Sequence, residues 1–146
     1  MIGIAFGIVL LAACAFAACA GGLPERLTAL VFVLAAVLTA IVDALDPSAP
    51  GHTRFGVLAV DVVTLIALLA TALYAHRIWT IWTTALQLLT VIAHVANIVA
   101  PTHSAWAYAA SIILSGFLMP PILAFGTWQH RKRRLARGVD RAWSRF

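Results

Sequence analysis

Charge is scarce in this chain. Only 10% of its residues are Asp, Glu, Lys or Arg, whereas an ordinary soluble domain carries about 25%. The hydrophobic share is 63%, against about 45–50% in soluble domains, and the mean hydropathy is +0.99. Together these exclude a soluble globular domain and a disordered chain. Cysteine is nearly absent too. Cys14 and Cys19 stand about 140° apart around a helix and form no CxxC pair, so a disulfide scaffold is excluded and both read as small packing residues. The chain also lacks a phosphate-binding loop, an HExxH motif, a Ser/His/Asp arrangement and paired intramembrane carboxylates. The expectation is a protein that is not an enzyme.

What remains is long apolar runs. A helical span needs about 20 apolar residues. Five segments meet this, at about 2–20, 27–44, 55–75, 78–100 and 105–128. Gly21-Gly22 closes the first, and Pro24-Glu25 opens the second. Asp46-Pro47, His76-Arg77 and Pro101 mark the later breaks. The predicted fold is therefore all-α: a polytopic membrane bundle of five transmembrane helices in residues 1–130, joined by short loops. Cleavage of the first span at Leu11–Cys14 or Phe16–Cys19, as a lipoprotein signal, is not favoured. A secretory signal has a positive leader, and no Lys or Arg precedes Arg26.

Basic residues set the expected orientation. Residues 131–146 hold seven of the ten Lys and Arg (Arg131, Lys132, Arg133, Arg134, Arg137, Arg141 and Arg145) against Asp140 alone. Counting back through five spans puts Arg77 and Arg26 on the same side as this tail and leaves only Arg54 opposite. The positive-inside tendency then predicts the N-terminus outside and the tail in the cytoplasm. Leu135, Val139, Trp143 and Phe146 give the tail an apolar face. It reads as a basic amphipathic helix on the anionic inner leaflet, a lipid partner and not a nucleic-acid one.

Polar residues inside the spans are few and regularly spaced. In span four, Thr80, Thr83, Gln87, Thr90, His94 and Asn97 step by 3 or 4, which is one helix face. Span three has Asp61, Thr64, Leu68 and Thr71, and span five has Ser104, Tyr108, Ser111 and Ser115, at the same steps. Such groups must find partners inside the protein, so the three stripes are expected to face one another as a polar seam. A turn near residue 77 places at equal depth residues whose numbers sum to about 154 or 155, as for Asp61 with His94 and Thr64 with Thr90. Asp61 is the acid well inside a span. Burying it as a carboxylate costs about 2.5–3.5 kcal/mol on insertion scales. His94 is its predicted partner, with Thr64, Asn97 and Tyr108 as supporting donors.

Three readings of that pair stand open: interhelical glue, a proton or ion site using imidazole's titration near physiological pH, and axial ligation of a haem or chlorophyll-type pigment by His94. No cofactor is required. His52, His103, Asp43 and Asp46 collect on the outer side as a candidate divalent-metal set without tight spacing. Gly3 and Gly7 form a GxxxG pair suited to close helix contact. Pro120-Pro121 predicts a kink in span five.

Gly21-Gly22-Leu23-Pro24-Glu25-Arg26, Ile92-Ala93-His94 and Ala105-Trp106-Ala107-Tyr108 resemble small uncharacterised membrane proteins of alphaproteobacteria. The resemblance implies a bacterial inner membrane and carries no activity. The leading expectation is an accessory or scaffold subunit that packs with other membrane subunits, or with itself, in a larger assembly such as a photosynthetic or respiratory one. The alternatives are a small proton- or ion-coupled transporter using Asp61 and His94, and a pigment-binding subunit.

Overall fold

The computed structural model describes residues 2–45, 55–75, 77–100 and 105–138. Five helices account for nearly all of them: α1 (Ile2–Ala20), α2 (Leu23–Leu45), α3 (Phe55–Tyr74), α4 (Ile78–Val99) and α5 (Ala105–Arg137). Each is long and apolar enough to cross a membrane. At a rise of about 1.5 Å per residue, the 20 residues of α3 match a hydrocarbon core of about 30 Å. The protein is a multi-pass, all-α membrane bundle.

Each helix packs on its sequence neighbour, and α1 closes the set by packing on α5. Short loops make consecutive helices antiparallel. The closing pair runs parallel: Phe6 stacks on Phe117 with ring centroids 5.4 Å apart, and Gly22 at the other end of α1 approaches His130. α2 also touches α5, so α1 rests against both. One core draws on all five helices, with Leu10, Cys14, Ala17, Phe32, Leu68, Trp79, Met119 and Leu123 at its centre.

The packing is inside out relative to a soluble bundle. Large aliphatic side chains such as Leu30, Leu34, Ile41, Ile66 and Leu73 face outward, where lipid tails replace water as their solvent. Small and hydroxyl-bearing residues fill the interior, which lets the backbones approach. Trp79 illustrates this. Its indole lies on Gly126 so closely that a Cβ there would come within 2.7 Å of three ring atoms.

Two boundaries differ from the expected spans. α2 starts at Leu23 instead of 27 because Pro24 suits a first helical turn and Glu25 caps it: the Glu25 carboxylate accepts the Gly22 N–H at 3.0 Å. α5 does not stop at 128. It continues to Arg137, where Gly138, at φ 72°, takes the left-handed conformation and donates its N–H to the Arg134 carbonyl at 2.9 Å. Residues 131–137 therefore extend α5 and are not a separate interfacial helix. Contacts one turn back support the extension: Arg133 Nη1 donates to Gln129 Oε1 at 3.2 Å, and Lys132 Nζ lies 5.4 Å from the Trp128 ring centroid. With 33 residues, about 50 Å of helix, α5 overshoots the hydrocarbon and carries Arg131, Lys132, Arg134 and Arg137 exposed beyond it. The rest of the tail, including Arg141, Trp143 and Arg145, lies outside the described residues.

Pro120 and Pro121 sit inside α5 without ending it. Lacking N–H groups, they leave the Gly116 and Phe117 carbonyls without their usual helical donors.

Candidate functional site: a buried acid and histidine between α3 and α4

The α3–α4 connection is tight. Ala75 N–H donates to Thr71 O at 2.9 Å, Arg77 N–H to Ala75 O at 2.8 Å, and α4 begins at Ile78. This fixes the register of the hairpin, and the register brings Asp61 opposite His94. His94 Nε2 and Asp61 Oδ2 are 3.0 Å apart, with side chains 5% and 17% exposed. An Nε2–H donates to this carboxylate whether the ring is neutral or cationic.

The second carboxylate oxygen is held by a residue that the sequence placed on the seam but not at Asp61. Gln87 Nε2 donates to Asp61 Oδ1 at 3.0 Å and to the Asp61 backbone carbonyl at 3.1 Å. Gln87 lies two turns from His94 on the same face, and its amide reaches up to fill the role expected of Thr64. Thr64 instead donates to Val60 O of its own helix at 2.8 Å. The other expected donors differ in what is described: Asn97 is half-buried, and the Tyr108 side chain lies outside the described part.

Below this site the seam continues inward. Thr90 and Ser115 bridge α4 and α5 with hydroxyl oxygens 2.7 Å apart, and Ser115 also lies 2.9 Å from the Ser111 carbonyl. Thr64, Thr71, Thr83 and Gln87 are all buried. Most seam hydroxyls, however, donate to their own helix, as Thr71 does to Ala67 O and Thr83 to Thr80 O. The seam is thus a packed hydroxyl face crossed by interhelical links that include His94–Asp61, Gln87–Asp61 and Thr90–Ser115.

Other sequence candidates fall elsewhere. Gly3 and Gly7 make no close helix contact within the chain, because a Cβ at either would meet nothing within 4 Å. α1 packs instead through Leu10, Ala13, Cys14 and Ala17, whose spacing follows the side that meets α2 and α5. Asp43 is exposed, while His52, His103 and Asp46 lie outside the described residues. Among the described residues no three His, Cys, Asp or Glu side chains gather as a metal site.

A second polar cluster was not anticipated. Glu25 is 0% exposed and His130 6%, and both border Gly22: from the point where a Cβ would stand on Gly22, Glu25 Oε2 and His130 Nδ1 are each 3.1 Å away. Thr28 and Thr127, one turn from Glu25 and His130, are also fully buried. The signal was present on α5, where Ser111, Ser115, Met119, Leu123 and Thr127 recur at steps of 4 and His130 follows at 3. It points to the inner face running to His130. On α2, Glu25, Thr28 and Phe32 do the same at steps of 3 and 4.

No family model, curated protein or solved structure matches this chain.

Proposed function

We propose that this integral membrane protein is a non-enzymatic, proton-exchanging protein whose Asp61–His94 pair takes up and releases the transported or sensed proton. The 3.0 Å contact between Asp61 and His94, closed on its other side by Gln87, carries the reading. An asparagine at 61 would keep a hydrogen-bonded link to both partners without the cost of burying a charge within a span. Structural glue alone therefore gives no reason for an acid here, whereas proton exchange with the neighbouring imidazole does. The reading sets the protein in a bacterial inner membrane, N-terminus outside, with Arg26, Arg77 and the basic end of α5 on the cytoplasmic side against anionic lipid.

A second reading, an accessory subunit of a larger membrane complex, draws on Gly3 and Gly7. They leave open space on α1 for a helix from a partner subunit. Pigment ligation through His94 is not carried forward, since the Nε2 an axial bond would use is engaged with Asp61.

The test is proton flux into liposomes containing the purified protein and a pH-sensitive dye, driven by an imposed membrane potential. Wild type should acidify the lumen, and Asp61→Asn should fall to the rate of empty liposomes while its unfolding midpoint stays near wild type. Equal flux in wild type and Asp61→Asn, or none in wild type, overturns the proposal.

A further inference from the structure

The basic end of the bundle holds a buried carboxyl whose capping bond explains only one of its oxygens. Glu25 Oε2 accepts the Gly22 N–H at 3.0 Å. Glu25 Oε1 is buried with no hydrogen-bond partner, and neither has the hydroxyl of Thr28, one turn along the same face. A cap works equally well from an exposed carboxylate, so capping does not account for 0% exposure. Buried polar oxygens normally find a protein or water partner, and an orphan pair at one place marks a site where protons or water are handled.

The surroundings favour a proton. His130 on α5 borders Gly22 together with the Glu25 carboxyl. A cleft of about 380 Å³ opens beside them at the basic end, lined by Gly22, Arg26, His130 and Arg134 among others. Charged groups at this end of α2 come from α5 and from α2 itself. α5 contributes His130 and Arg134, and α2 itself contributes Arg26. α1 has no charged residue, and its Cys14 thiol donates to Ala29 O at 3.6 Å. On α3, Asp61 lies at the far end and Tyr74 is exposed. Glu25 is thus the acid and His130 the imidazole of this end.

We infer that Glu25 and His130 form a second proton-exchanging site, opposite the first, so that the bundle carries one buried acid and histidine near each membrane face. The step is a plain proton transfer. The Glu25 carboxyl gives its proton to a His130 ring nitrogen, directly or through one water, leaving carboxylate and imidazolium. The imidazolium then releases that proton to water in the cleft, and the reverse sequence takes one up. The two sites are about 28 Å apart. His94 is one turn from Thr90, which meets Ser115, so it lies level with Ser111, and Ser111 is 19 residues along α5 from His130. The inference rests on the Asp61–His94 reading for its transmembrane meaning, but the Glu25 site is tested by itself.

The experiment is pH-difference infrared spectroscopy of the full-length protein in liposomes, with pH changed separately on each side and the protonated-carboxyl stretch as readout. Two carboxyl bands are expected. One disappears in Asp61→Asn and follows the pH of the side away from the basic end. The other disappears in Glu25→Gln and follows the pH of the basic end. His130→Gln keeps the Glu25 carboxyl and should move the pH at which its band changes, without moving the Asp61 band. It serves as the informative variant if Glu25→Gln fails to fold. A spectrum with no pH-sensitive band removed by Glu25→Gln, or one insensitive to His130→Gln, overturns the inference even where the Asp61 band stands. Absence of the Asp61 band from the wild-type spectrum sinks the proposed function and leaves the second site intact.

Discussion

The two ends of the bundle hold the same pair of chemical groups, but they are built differently. At one end Asp61 and His94 come from α3 and α4, neighbours joined by a short turn, and both carboxylate oxygens are engaged. At the other, Glu25 and His130 come from α2 and α5, far apart in sequence, and one carboxylate oxygen has no partner. The first pair follows from hairpin register. The second exists because α1 and α2 fold back onto the last helix. A polar pair within a hairpin can be found by counting residues, whereas one across the closure of the bundle needs the tertiary arrangement. Between them the core holds Leu68 and Leu123, at 1% and 0% exposure, in a layer that also carries the buried hydroxyls of Thr71 and Thr83.

That contrast can be broken most severely at this layer. Leu123→Ala should cost about 2–5 kcal/mol, as core truncations do, read from unfolding equilibria in mixed micelles. A loss close to zero would mean the layer does not hold the ends apart by packing. Next comes the basic end itself. In Gly22→Ala the added Cβ meets His130 Cε1 at 2.8 Å, so His130 or Glu25 must move, at a cost of about 1–3 kcal/mol. Gly7→Ala, where nothing lies within 4 Å, should stay within about 0.5 kcal/mol by the same assay. At the Asp61 end, Gln87→Leu strips the donor from Oδ1 and makes the site resemble the half-satisfied Glu25. The expected loss of stability is about 1–3 kcal/mol, with a shifted pH dependence of the Asp61 infrared band. A small effect belongs to the Thr90–Ser115 bridge. A double-mutant cycle with Thr90→Val and Ser115→Ala should return a coupling of about 0.6 kcal/mol.

Much of this architecture was legible in the sequence. Apolar runs between Pro/Gly breaks gave five spans, because a bilayer tolerates little but uninterrupted helices. Steps of 3 and 4 gave the buried face of α4. What escaped lay at helix ends and long-range contacts. Glu25 read as a residue opening a helix at the membrane edge, since hydropathy does not show which way a first-turn side chain points. His130 lies past the expected end of span five at 128, beside a run of arginines, so the span boundary leaves it off the buried face. The Gly3–Gly7 spacing stands out in the sequence, while Gly22 and Gly126, where an added Cβ would strike a side chain of another helix, have no such motif. Their constraint comes from a histidine and a tryptophan on other helices.

The parallel contact between α1 and α5 has a consequence for how the chain is made. Parallel neighbours cannot be joined by a short turn, so α1 finds one of its two partners only when α5 has been synthesised. At typical elongation rates, the roughly 85 residues between them impose a wait on the order of ten seconds. Throughout that interval the side of α1 that will meet α5 must be covered by lipid or by the insertion machinery. Glu25, buried at the same closure, cannot reach its final surroundings any sooner. Assembly of the basic end therefore waits for α5, and a chain truncated before α5 should insert with that acid still facing the membrane surface.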